Sequence, residues 1–107
     1  MKKRLEKKIE KMRRKNVHEI LEMVLEINGT NSRNRGLAGD KPTAFFDFFG
    51  HTASIVVSVH NNGWDFGSSA DSHMEAYIDK RIEGEELADL KEVLENVMEG
   101  LRYAGKM

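Results

Sequence analysis

The spacing of apolar residues changes twice along this 107-residue chain, and that change limits the folds open to it. Apolar side chains recur every three or four positions in residues 3–27 and 85–103, which is typical of amphipathic helices. Between them, residues 53–60 (ASIVVSVH) alternate apolar and polar side chains, which is typical of an antiparallel strand with one buried face. The pattern predicts an α+β fold with a helix at each end and a short antiparallel sheet in the middle.

Three segments supply the strands of the predicted sheet. Residues 43–49 (TAFFDFF) come first, and residues 61–63 (NNG) after the strand 53–60 are a hairpin signal. We therefore expect the return strand to begin at Trp64 and to include residues 64–66, after which residues 67–73 (GSSADSH) interrupt it. Residues 74–79 (MEAYID) fit either a strand or a helix, and we favour a strand because the sheet otherwise has few strands. The predicted order is α-β-β-β-α, in one small domain whose sheet packs against the N- and C-terminal helices.

The first helix has two possible forms. Either a basic segment, 2–15, extends from the core and joins a better packed helix at 17–27, or one continuous helix covers both. Asn16 with Glu19 three residues later resembles an N-cap signature, which would separate the two parts. Residues 28–42, rich in Gly, Asn and Ser, are predicted to form a flexible loop.

Charge is sorted by position along the chain. Residues 2–15 carry nine Lys or Arg against two Glu, a net charge of +7. Residues 64–107 carry five Lys or Arg against eleven Asp or Glu, a net charge of −6, so the whole chain sums to only −1. Such asymmetry indicates charged partners or self-association more than small-molecule chemistry.

Two sets of charged residues are the candidate binding residues. Carboxylates in a row on the last helix can imitate phosphates and occupy a nucleic-acid-binding groove of another protein, although a solvated helix face explains them too. The acidic candidates are Asp79, Glu85, Asp89, Glu92 and Glu99. The basic side chains can bind an acidic protein or the phosphates of RNA or DNA, and a solvated terminus or loop is again the alternative. The basic candidates are Lys7, Lys8, Lys11, Arg13, Arg14, Arg33 and Arg35.

No motif indicates catalysis. The four histidines lack the spacing of metal ligands, and the absence of cysteine excludes disulfides, thiolate zinc sites and cysteine nucleophiles. We expect no enzyme activity, no catalytic residue, no metal site and no cofactor. No apolar run approaches the roughly 18 residues of a membrane span, so we expect a cytoplasmic protein that does not enter membranes.

Aromatic residues occur on both faces of the predicted strand 43–49. One face would pack on a helix, and the other would need cover from the second helix, from a partner or from a second copy of the chain. An uncovered apolar patch usually marks an interaction surface.

Residues 43–66 (TAFFDFFGHTASIVVSVHNNGWDF) resemble a hairpin pattern of small phage- and prophage-encoded proteins. Together with the α-β-β-β-α order and the acidic C-terminal half, the chain resembles anti-CRISPR proteins. That resemblance implies an inhibitor, acting in the cytoplasm of a bacterial host, that blocks a Cas effector by occupying its nucleic-acid-binding surface. Two alternatives are a small nucleic-acid-binding or regulatory protein that uses the basic helix, and a homodimeric interaction module.

Overall fold

The computed structural model describes residues 2–29, 41–64, 69–78 and 85–107. It contains five elements: α1 (Lys2–Asn28), β1 (Thr43–Phe49), β2 (Ser54–His60), β3 (Ser72–Tyr77) and α2 (Glu85–Tyr103). This order confirms the predicted α+β fold and the α-β-β-β-α arrangement.

The sheet is antiparallel, with β2 between β1 and β3. Phe46 of β1 lies opposite Val57 of β2, and Val57 lies opposite Met74 of β3. Because side chains alternate across a strand, these three residues share one face of the sheet. The central strand is the most buried, and its residues Ile55, Val57 and Val59 on this face have no exposed surface.

Both helices pack on this same sheet face. α1 contacts β1, α2 contacts β3, and the two helices contact each other, which closes a two-layer core. The buried apolar residues form a single cluster. Its members are Ile20, Val24, Ile27, Ala44, Ile55, Val57, Val59, Met74, Ala76, Leu87, Leu90, Leu94, Met98 and Leu101.

α1 is one continuous helix, which decides between the two forms left open by the sequence. Asn16 lies in its interior and does not begin a new helix. The helix ends at Asn28, because Gly29 takes a positive φ of 68° while its N–H donates to the carbonyl of Leu25 at 2.7 Å. The amide of Asn28 also donates to the Ala44 carbonyl at 2.8 Å and accepts from the Ala44 N–H at 2.7 Å, which fixes the helix end against β1.

The return strand begins later than the hairpin signal predicts. The turn forms, since the Gly63 N–H donates to the His60 carbonyl at 3.4 Å, but Trp64 lies outside the sheet. Among the described residues that follow, the first to pair with β2 is Ser72. The expectation that the strand starts at Trp64 is therefore wrong. Residues 69–71 lie outside β3, in agreement with the predicted interruption, and β3 begins at Ser72, two residues before the predicted position 74.

The choice of strand for the ambiguous segment 74–79 is confirmed for residues 74–77, which lie in β3, whereas residue 79 falls outside the described part. β2 starts one residue later than predicted, because Ala53 takes a positive φ of 50° and ends a turn. α2 has the predicted bounds. Of the predicted loop 28–42, residues 30–40 also lie outside the described part.

The packing of α2 predicts a large cost for removing Leu94, which is fully buried between the sheet and α1. Leu94→Ala should lower the free energy of unfolding by about 2–5 kcal/mol, because it removes buried methyl groups and leaves a cavity. Urea denaturation followed by circular dichroism measures this loss. The control is Val93→Ala, whose side chain is 46% exposed and should cost far less. Equal losses for the two variants would contradict this packing.

Candidate interaction surfaces

Carboxylates of β3 and α2 meet along one side of the molecule. The burial of Leu87, Leu90 and Leu94 turns the intervening polar residues of α2 outward. Asp89 and Glu92 are among them, three residues apart on neighbouring positions of the helix surface. We call Glu75, Glu86, Asp89 and Glu92 the acidic flank.

Three members of the acidic flank line a shallow groove of about 240 Å³ between α2 and β3, and Glu92 lies beside it on the exposed face of α2. Its lining residues are Met74, Glu75, Glu86, Asp89, Leu90 and Val93. Three of these six are carboxylates and none is a cation. Glu86 accepts a hydrogen bond from the backbone N–H of Tyr77 at 2.8 Å, which positions its carboxylate beside the edge strand. Within the described ranges, no ion pair neutralises Glu75, Asp89 or Glu92.

A second groove lies between the two helices. Two ion pairs show that α1 and α2 run parallel. Glu19 of α1 pairs with Lys91 of α2, and Glu26, farther along α1, pairs with Arg102, farther along α2. This interhelical groove has a volume of about 520 Å³. Its lining residues are Glu19, Glu22, Met23, Glu26, Lys91, Glu95, Met98, Glu99 and Arg102. Five carboxylates therefore meet two cations here, and the two methionines supply the apolar surface.

The Lys91 side chain lowers the pKa of Glu19 below its ordinary value of 4.5, chiefly by donating a hydrogen bond to the carboxylate. Partial burial opposes this shift, and the charges of Lys91 and Lys15 add to it. The Lys15 ammonium lies 4.0 Å from the same carboxyl group. The ion pair between Glu19 and Lys91 thus links the two helices through their charges.

The acidic candidates divide between these two surfaces. Asp89 lines the groove beside β3, whereas Glu99 lines the interhelical groove. Glu92 lies on the exposed face of α2 between the two. Asp79 and the side chain of Glu85 lie outside the described part. The structure adds Glu75 and Glu86 to the flank. Glu86 could have been found by its helical spacing from Asp89, but Glu75 is on a different element, and only tertiary packing brings it there.

The first half of α1 extends beyond the core. We call residues 2–15 the basic extension. Residues 3–8 are all exposed, and the first fully buried residue of α1 is Ile20. The candidates Lys7, Lys8 and Lys11 are exposed along this extension.

The other basic candidates differ in position. Arg14 pairs with Glu10 at 3.1 Å, within α1. Arg13 is half-buried, and both arginines line a cleft of about 290 Å³ beside Phe48 and Ile78, where the extension meets the sheet. Arg33 and Arg35 lie outside the described part.

The second face of the sheet carries no described helix. Phe45, Phe49 and Tyr77 lie on it, each about 40% exposed. The edge of the Phe45 ring approaches His60 with centroids 5.7 Å apart, and His60 is buried there. In the described ranges, the cover expected for this face does not come from α1 or α2.

Among the residues that the structure describes, no three His, Asp or Glu side chains are grouped closely enough to hold a metal ion. Neither described helix combines the length and the apolar character that crossing a membrane requires. No protein family, curated protein or solved structure matches this chain.

The ion pair between the helices predicts a pH dependence of stability. Because the pKa of Glu19 is lower in the folded protein than in the unfolded chain, the pair stabilises the fold above about pH 4.5. This stabilisation is lost as the pH falls through the lowered pKa. The difference in free energy of unfolding between the unmodified protein and Glu19→Gln should therefore shrink on acidification below pH 4.5.

Urea denaturation at a series of pH values measures this difference. Glu22→Gln is the matched control, because Glu22 lines the same groove without an ion pair to a described cation. A pH-independent difference for Glu19→Gln, or an equal pH dependence for Glu22→Gln, would contradict the assignment.

Proposed function

We propose that this protein is a non-enzymatic inhibitor that occupies the nucleic-acid-binding surface of another protein, as its resemblance to anti-CRISPR proteins implies. Its partner is a Cas effector nuclease or a similar nucleic-acid-binding effector, and it acts in the bacterial cytoplasm. The acidic flank makes the contact, in the place where the effector would otherwise bind phosphates.

The observation that carries this proposal is the absence of ion pairs to Glu75, Asp89 and Glu92 within the described ranges. Carboxylates without internal partners keep their full attraction for external cations. A basic surface that has evolved to bind phosphates offers such cations, and complementary potentials accelerate the encounter between two proteins.

The acidic flank suits a protein partner better than carboxylates alone would. Val93 is 46% exposed in the middle of it, with Leu90 and Met74 in the same groove. Protein interfaces combine an apolar centre with a polar rim, and the flank has this arrangement on a small scale. The backbone that carries these side chains is ordered by a helix and an edge strand, so binding costs little backbone conformational entropy.

The interhelical groove is the weaker candidate for this role. Lys91 and Arg102 pair with two of its five carboxylates, and an external cation would compete with them. The acidic flank has no such competitors among the described residues, because no cation lines its groove.

The double variant Asp89→Lys with Glu92→Lys tests the proposal. Both residues are exposed, so the unfolding midpoint should change little. Inhibition of guide-directed DNA cleavage is measured against a panel of purified Cas effectors. The unmodified protein should inhibit one of them, and the double variant should need a concentration about tenfold higher or more, because like charges then face each other.

The matched control is Glu6→Lys with Glu10→Lys, which changes the charge equally at two exposed positions of α1, away from Asp89 and Glu92. This control should inhibit as the unmodified protein does. Failure to inhibit any effector of the panel would refute the proposed partner. Equal inhibition by the unmodified protein and the Asp89 and Glu92 double variant would refute the role of the acidic flank.

A further inference from the structure

One face of α1 carries charges in an order that complements itself. Seven charged residues follow one another at intervals of three or four positions, so they lie along one side of the helix. They are Arg4, Lys8, Lys11, Lys15, Glu19, Glu22 and Glu26. The first four are basic and the last three are acidic. This stripe exists only because α1 is continuous from Lys2 to Asn28.

We propose that a second copy of this chain binds antiparallel along this face of α1. In that orientation Arg4 lies opposite Glu26 of the second copy, and Lys8 lies opposite its Glu22. Lys11 then lies opposite the second copy's Glu19, in the same register. Each pair forms twice, because a two-fold axis makes the interface identical for both copies. A parallel arrangement would instead place like charges together. Glu19 and Glu26 also pair with Lys91 and Arg102 of their own chain, so Glu22 is the one carboxylate of the three without an ion pair to a described cation.

The two halves of α1 also match in length. The basic extension has 14 residues and residues 16–28 number 13, which corresponds to about 21 and 20 Å of helix. The extension of one copy can therefore cover the packed half of α1 in the other copy over its whole length. The two-fold axis passes near Lys15. Each Lys15 lies 4.0 Å from Glu19 of its own chain, which offsets the repulsion between the two ammonium groups.

The extension brings apolar surface as well as charge. Leu5 is 61% exposed and Met12 is 57% exposed. Leu5 precedes Met23 by 18 residues, or five helical turns, so the two side chains lie on the same side of α1. At Met23 this side of α1 faces α2. In the antiparallel pair this side of the extension lies along the interhelical groove of the second copy, where Met23 and Met98 offer matching apolar surface.

The net charges favour the same arrangement. The basic extension has a net charge of +7, and the interhelical groove has five carboxylates against two cations. Of those carboxylates, Glu22, Glu95 and Glu99 form no ion pair with a described cation. Docking of the extension therefore brings excess positive charge to excess negative charge in both halves of the dimer.

A nucleic acid fits these observations less well. Residues 2–15 contain no aromatic side chain on which a base could stack, so only phosphate contacts would hold it. Phosphates would leave Leu5 and Met12 exposed. A second copy uses both the charges and the apolar residues of the extension.

Cysteine cross-linking of the full chain tests the register. The chain has no cysteine, so Lys15→Cys introduces a single thiol close to the two-fold axis. Mild oxidation should give a disulfide-linked dimer. In the control Lys3→Cys, the two thiols lie about 36 Å apart along the helix pair and cannot form a disulfide within one dimer. Equal cross-linking of both variants, or none of Lys15→Cys, would overturn the register.

Charge exchange tests the pairing through a measured dissociation constant. In sedimentation velocity at low salt, Lys8→Glu and Glu22→Lys should each raise the dimer dissociation constant about tenfold, because two attractive pairs become repulsive. The chain with both substitutions restores opposite charges and should return to within about threefold of the unmodified protein. Lys3→Glu, with the same change of charge about 140° around the helix from Lys8, is the control and should have a smaller effect.

Circular dichroism checks that each variant remains helical, as expected for these exposed positions. A monomer at every concentration, or a double variant no better than the single ones, would refute the dimer. Association that disappears on nuclease treatment would show that the extension binds nucleic acid instead. Asp89 and Glu92 do not lie on this face, so the dimer and the proposed inhibitory contact can fail separately.

Discussion

The burial of β2 under two helices is the constraint on which the rest of this structure depends. Ile55, Val57 and Val59 lose all contact with water because Ile20 of α1 and Leu94 of α2 pack above them. Burial of apolar surface is the main favourable term in folding, and a domain of this size has only one core in which to gain it. Since both helices are needed on the same face, they must lie side by side, and the other sheet face is left without them.

The side-by-side helices determine what the charges can do. α1 and α2 run parallel, so the carboxylates of the second half of α1 face those of α2 across the interhelical groove. Lys91 and Arg102 compensate part of this repulsion. On its other side, α2 meets an edge strand that adds Glu75 and no cation to the groove between them. The same helix therefore borders one partly neutralised acidic surface and one that is not neutralised by described residues.

The length of α1 adds a third surface. Only its second half is needed to cover the sheet, and the first half continues past the core, where the lysines and arginines of residues 3–15 are exposed except for the half-buried Arg13. Arg14 with Glu10 and Lys15 with Glu19 form ion pairs within α1. Positive and negative surfaces thus occupy separate places on one small molecule, which favours recognition of a charged partner, of a second copy, or of each in turn.

The sequence by itself determined the element order, the bounds of α2 and β1, and the strand at residues 74–77, because period and turn signals act over a few residues. It also determined that positive and negative charges lie in separate segments of the chain, since this follows from the order of the residues alone. Tertiary structure alone decided that α1 is continuous, that Trp64 lies outside the sheet, and that Asp89 and Glu99 line different grooves. These depend on contacts between residues far apart in the chain. Local patterns cannot encode which surface another element will cover or which carboxylate it will neutralise.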